Sequence, residues 1–241
     1  MITFQDTYDN RKKEIENFLE LMTFLEKKEN QREDGESEFD KFFYHQGEGI
    51  SMTYQELINI LKSNVSLMLY NIIEYTVSNL IDSIYDEIRR NHLSYVDVNV
   101  SIRALWRKTV LKAANDPNAN FNTFLKKNEE VIDAILQNSI LELRSRNTMP
   151  AGNLDGVSIK EAFESHGVQV QTASRNYRPD ILNNIKENRN NLAHGAVSFV
   201  DAVRFESIAD IRRNKNVVVS FLEELIDVVS VYFEEEKYKM V

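Results

Sequence analysis

Residues 63–91, SNVSLMLYNIIEYTVSNLIDSIYDEIRRN, decide the fold class. Val65, Leu69, Ile72, Ile73, Val77, Leu80, Ile81, Ile84 and Ile88 recur at three- and four-residue spacing, the period of one helix face, and that face is broad enough for a core position. Asn71, Glu74 and Ser78 form a narrow polar stripe beside it. Asp82 and Arg89 prolong the line, as they would on a solvated face. Just upstream, Thr53-Tyr54-Gln55-Glu56 matches a capping box, so a short helix is expected to about Lys62, with the long helix beginning at Ser63 or Asn64.

Working outward, helical periodicity recurs along the chain. Residues 5–31 place Ile15, Phe18, Leu19, Met22 and Leu25 on one face. Residues 101–114 read as a helix containing the only Trp, Trp106, and Asn115-Asp116-Pro117-Asn118 breaks the pattern. Phe121 to about Leu143 resumes it. Ser158-Ile159-Lys160-Glu161 is a second capping box, opening a short helix that Gly167 stops. Val168 to Thr172 alternates in hydropathy, but a single such run has no partner strand. Pro179 and Asp180 begin another helix, placing His194 in its last turn, and Gly195 suits the left-handed residue that ends it. Ser207-Ile208-Ala209-Asp210 caps a final helix reaching about Tyr238. With seven Gly and three Pro in 241 residues, and no interdomain linker or repeat, one all-α domain is expected. Its parts are N-terminal helices in 1–62, core helices in 63–114, an insertion in 115–178, and the last two helices in 179–241.

Composition removes several functions. The chain has no Cys, hence no disulfide framework, thiol nucleophile or thiolate metal site. No G-x-x-x-x-G-K loop or H-E-x-x-H pair occurs, and His45, His92 and His166 lack metal-ligand spacing. No metal and no cofactor are expected. The start, Met1 to Asp6, lacks a basic region followed by an apolar one, and no apolar run approaches the roughly 20 residues of a membrane span, so a cytoplasmic protein without membrane attachment is expected. A net charge of −9 argues against nucleic acid bound along the whole surface, though not against a local basic groove.

Chemistry concentrates in Arg189-Asn190-Asn191-Leu192-Ala193-His194-Gly195. An imidazole moves protons and a guanidinium forks onto phosphate, the two capacities that phosphodiester cleavage needs. Five residues on a helix put Arg189 and His194 about 140° apart, so a long Arg or a second subunit must close the gap. The plain alternative is a surface Arg and a His at a helix C-terminus. Elsewhere, Phe39, Phe42, Phe43 and Tyr44 beside His45 read as packing rather than a base-stacking platform. Trp106 amid Arg103, Arg107, Lys108 and Lys112 reads as an inward ring on an exposed basic helix. Arg175 and Arg178 read as surface arginines.

The motif resembles the R-x4-6-H motif of the HEPN superfamily, whose members often carry Asn after the Arg, as Asn190 does here. Leu69-Tyr70-Asn71-Ile72-Ile73-Glu74, Gly152-Asn153-Leu154-Asp155 and Tyr232-Phe233-Glu234-Glu235-Glu236-Lys237-Tyr238 follow in the order seen in RiboL-PSP or MAE-type HEPN-like nucleases. The resemblance implies an all-α HEPN-like helical bundle with a long helical and loop insertion before the motif helix. It implies a metal-independent endoribonuclease in which the RNA 2′-hydroxyl attacks the adjacent phosphate. His194 would act as general base or acid and Arg189 would stabilise the transition-state charge, leaving a 2′,3′-cyclic phosphate and a 5′-hydroxyl. Asn190, Glu74 and Asn71 would support these two. A homodimer would join two motif helices, and a toxin or anti-phage role, with an antitoxin or regulatory partner, is the attached biology. The chain departs from toxins controlled by modification of a Tyr two residues after the motif His, where it has Ala196. Other classes kept open are a catalytically silent HEPN dimer that binds nucleotide, RNA or protein, and a structural helical adaptor.

Overall fold

The computed structural model describes residues 4–30, 52–150 and 152–240. The acidic segment from Gln31 to Asp40 and the aromatic cluster of Phe39, Phe42, Phe43, Tyr44 and His45 lie outside the described residues. Among the described residues are eight α-helices and no strand: α1 (Phe4–Asn30), α2 (Tyr54–Arg90), α3 (Val100–Val110), α4 (Phe121–Leu136), α5 (Ser145–Thr148), α6 (Gly156–Glu164), α7 (Pro179–Ala193) and α8 (Ile208–Glu234). The all-α expectation therefore holds. Two isolated bridges, Ser94 with Ile140 and Val98 with Lys239, are the nearest approach to sheet.

The chain separates into two compact units. One comprises residues Met1–Ile73 and Asp180–Val219, the other Glu74–Pro179 and Ser220–Val241, so α2 and α8 each contribute to both. In the first unit the buried side chains include Tyr8, Ile15, Leu19 and Met22 of α1, Ile58, Val65, Leu69 and Tyr70 of α2, and Leu182, Ile185 and Leu192 of α7. Arg212 donates to Glu16 at 2.6 Å and Glu20 at 3.0 Å, and Lys215 to Glu16 at 2.5 Å, tying α8 to α1. These amino and guanidinium partners hold the Glu16 carboxyl below its ordinary value, Lys215 first.

The expected break between a short helix ending at Lys62 and a long one beginning at Ser63 does not occur, because α2 runs 37 residues without interruption. Thr53 and Glu56 do cap it reciprocally, with the Thr53 N–H donating to the Glu56 carboxylate at 2.6 Å and the Glu56 N–H to the Thr53 hydroxyl at 3.2 Å. The polar run that looked like a boundary is satisfied by tertiary partners instead. Lys62 Nζ donates to the Glu206 carbonyl at 2.6 Å, the fully buried Ser63 hydroxyl to the Phe199 carbonyl at 2.7 Å, and Asn64 Nδ2 back to Ile60 at 2.8 Å. Burial lowers the Lys62 ammonium's affinity for its proton.

In the second unit, two helices end earlier than periodicity suggests. α4 stops at Leu136, not Leu143, because Asn138 takes φ 49° and Ser139 N–H closes on the Ala134 carbonyl, a Schellman end made by Asn rather than Gly. Beyond it Leu141 and Leu143 are buried while Glu142 and Arg144 are exposed, a period of two that a helical template misreads. α8 stops at Glu234, four residues before Tyr238, where Glu236 takes φ 49°. The second capping box is shifted by three residues: Asp155 is the N-cap of α6 and Ser158 its N3 partner. Gly167, at φ 83°, does end the turn after α6. α4 is amphipathic yet has no buried residue, leaving Phe121 and Leu136 exposed.

The core of this unit contains a hydrogen-bonded chain around His166, which is fully buried. Its Nδ1 lies 2.6 Å from the Ala162 carbonyl and can only donate there, so Nε2 must accept the Tyr85 hydroxyl proton at 2.5 Å. Tyr85 in turn meets Thr148 at 2.7 Å, and the His166 carbonyl accepts from the Tyr232 hydroxyl at 2.7 Å. Burial pushes the imidazole down to about 4, only partly opposed by the bond to Ala162. Below the ordinary imidazole value of about 6.5 the unfolded chain takes a proton that the folded chain refuses. Stability held by neutral His166 is thus complete above that value and falls, by about 1.4 kcal/mol per pH unit, on descent towards 4. Denaturant midpoints between pH 7 and 4.5 should show this slope in the wild type and lose about one proton's worth of it in His166→Gln.

Candidate functional site

The motif helix α7 starts at Pro179, whose fixed φ and missing N–H suit a first helical position, with Asp180 in the first turn. Its buried residues, Leu182, Ile185 and Leu192, define one stripe. At 100° per residue Arg189 lies within about 40° of Ile185, on that stripe, whereas His194 lies nearly opposite. The structure follows this geometry. Arg189 is half-buried, with its guanidinium 4.8 Å from the centroid of the Tyr70 ring, and Tyr70 is completely buried. His194 is exposed at the helix end.

Arg189 Nη1 donates to the side-chain amide oxygen of Asn190, Oδ1, at 2.9 Å. Asn190 thus meets the guanidinium of its chain neighbour through its side-chain amide. A guanidinium stacked by its face keeps its N–H donors in its plane, the arrangement with which it forks onto a phosphate. The stack itself contributes about 0.5–2 kcal/mol, towards the upper end when desolvated.

His194 occupies the cap position, one residue beyond the helical Ala193, so it stands just past the last turn rather than in it. Its N–H still bonds Asn190 at 3.0 Å, Gly195 N–H bonds Leu192 at 3.2 Å, and Ala196 N–H bonds Asn191 at 2.9 Å. With Gly195 at φ 67° this is a Schellman motif, which presents the imidazole to solvent at a defined chain exit. Of the other candidates, Asn71 is exposed on α2 immediately after Tyr70, and Glu74, the first residue of the other unit, is half-buried. Further along, Asp82 accepts the Ser145 N–H at 3.0 Å and hydroxyl at 2.7 Å, so this part of the polar stripe holds α5 rather than facing solvent.

Sequence reasoning overlooked Tyr70 as a partner of Arg189, although Tyr70 stood inside a stretch singled out for its resemblance. An aromatic among apolar core positions carries no local mark of a cation above it. The basic helix α3 behaves as expected: Trp106 is buried against Tyr95, ring centroids 5.6 Å apart, and Arg103 lies 5.6 Å from the Tyr95 ring. Arg175 and Arg178 are exposed. Among the described residues no three His, Asp or Glu side chains group as metal ligands, and no described helix is long and apolar enough to cross a membrane.

The family model described as HEPN_MAE_28990-like HEPN matches residues 3–238, and the chain belongs to this family. Membership connects it with nuclease or RNA-related function and, in general, with RNA interaction and dimerisation. No curated protein and no solved structure matches the chain.

Gly195 has open space where a Cβ would stand, so only its left-handed backbone resists substitution. Gly195→Ala should destabilise the chain by about 1–2 kcal/mol, and Gly195→Asn by less, as read from denaturant midpoints. Equal stability of all three forms would contradict the Schellman assignment.

Proposed function

We propose that the chain is a metal-independent endoribonuclease, with Arg189 and His194 as its catalytic residues. The 2′-hydroxyl of the substrate attacks the neighbouring phosphate. His194 takes or gives the proton, and the forked guanidinium of Arg189 neutralises charge gathering on the non-bridging oxygens. The O5′ of the next nucleotide leaves, so the ends are a 2′,3′-cyclic phosphate and a 5′-hydroxyl. The observation carrying this reading is the placement of Arg189, stacked on Tyr70 and hydrogen-bonded to Asn190, on the helix whose end exposes His194.

One His serves badly as both base and acid in a single pass, and the two side chains lie on opposite faces of α7. Both facts favour a homodimer in which two motif helices complete shared sites. Asn190 is the positioning residue for Arg189, with Asn71 and Glu74 as further polar support from α2. A toxin or anti-phage role, held in check by an antitoxin or regulatory protein, completes the proposal, with RNA as substrate and the cytoplasm as its place of action.

A second reading, a silent HEPN module that binds RNA or nucleotide without cutting, draws on the roughly 140° that separates Arg189 from the exposed His194 around α7. It requires that binding and RNA integrity be unchanged by His194→Ala.

Purified wild type, Arg189→Ala, Arg189→Lys and His194→Ala should be incubated with total RNA in EDTA and the cut ends mapped. Only the wild type should cut efficiently and leave cyclic phosphate ends, with each Ala variant reduced about 100-fold or more. Arg189→Lys should not restore activity, because an ammonium neither stacks nor forks as guanidinium does. Unaltered cutting by either Ala variant overturns the site, and intact RNA throughout favours the silent module.

A further inference from the structure

Phe205 is the most exposed large apolar side chain among the described residues, at 88%. It lies in the connection from α7 to α8, eleven residues after His194 and within the same compact unit. Arg204 stacks on it, the guanidinium carbon 4.5 Å from the ring centroid, and donates to Asp201 at 3.3 Å. The backbone bearing this pair is held from both sides. The Phe199 carbonyl accepts from Ser63 and the Glu206 carbonyl, one residue after the ring, from Lys62, while Val203 is buried between them in sequence. The ring is therefore displayed outward from an anchored segment rather than left over from a loose one.

The anchors also tie its segment to the helix that carries Tyr70. Ser63 and Tyr70 are seven residues apart on the uninterrupted α2, about 10.5 Å along the axis and about 20° around it, so they share a face. One of them holds the return segment and the other lies beneath the Arg189 guanidinium.

We infer that the Phe205 ring, backed by Arg204, is a stacking platform for a base of single-stranded RNA whose phosphate lies at Arg189. The inference rests on RNA being the substrate, as proposed above. Arg204 covers one face of the ring and a base takes the other. Asp201 and Glu206 flank Arg204, so this segment has no basic excess and contributes stacking rather than attraction for phosphate. Stacking accepts every base, and the platform positions the strand without setting its sequence.

The test uses the full chain carrying His194→Ala, a fluorescein-labelled single-stranded RNA of twelve nucleotides and EDTA. Adding Phe205→Ala should weaken binding roughly 5- to 100-fold, Phe205→Trp should retain it, and Phe121→Ala, an exposed Phe of the other unit, should change nothing. In the His194-containing background, Phe205→Ala should raise KM more than it lowers kcat. Equal affinity of the Phe205→Ala and parent forms overturns the platform, and continued cutting by the wild type then leaves the nuclease standing. Phe205-dependent binding with no cutting by the wild type supports the platform and removes the nuclease. If no form binds the RNA, both fall.

Discussion

A single buried hydroxyl governs the path of the chain around the candidate site. Ser63 has no exposed surface, and its Oγ donates to the Phe199 carbonyl at 2.7 Å. Removing one partner of such a bond leaves a buried polar group unsatisfied, at about 1–3 kcal/mol. The bond allows a polar residue in the middle of a core helix and keeps α2 continuous. It also brings the segment following the motif back onto the helix that supports Arg189. Lys62 repeats the arrangement one residue earlier, through the Glu206 carbonyl.

The same division between inside and outside separates the two motif side chains. Arg189 shares the apolar stripe of α7 and is received by an aromatic face, an uncommon but favourable way to half-bury a cation. His194 leaves the helix on the opposite side, at a Gly-terminated end where the backbone is defined and the side chain faces water. A held cation and an accessible imidazole are the division of labour that acid-base cleavage of a phosphodiester asks of a protein.

The second unit shows what its share of the family-like stretches does. Gly152 to Asp155 supplies the cap of α6, with Leu154 buried, and Tyr232 to Tyr238 supplies a hydroxyl to the His166 carbonyl and a turn at Glu236. Both stretches therefore mark architecture. The Leu69 to Glu74 stretch differs, because it contains the ring under Arg189. Resemblance in sequence does not separate these cases, since a packed tyrosine and a tyrosine receiving a guanidinium leave the same trace in the chain.

Local rules sufficed wherever the information was local. Periodicity marked α1, the long part of α2 and most of α8; Pro179 and Asp180 marked the start of α7; reciprocal caps marked Thr53 and Ser207; glycine marked the ends at Gly167 and Gly195. The motif helix, and the angular separation of Arg189 from His194, followed from 100° per residue alone. Tertiary structure decided the rest. Lys62 and Ser63 read as a boundary because their partners, Glu206 and Phe199, lie more than 130 residues away. Glu236 ends a helix in a conformation that its side chain does not advertise. Tyr70 became the seat of Arg189 through a distance that no spacing rule encodes. Helix periods and caps are set by neighbours within four residues, whereas the partner of a buried polar or charged group is set by which distant segment folds against it.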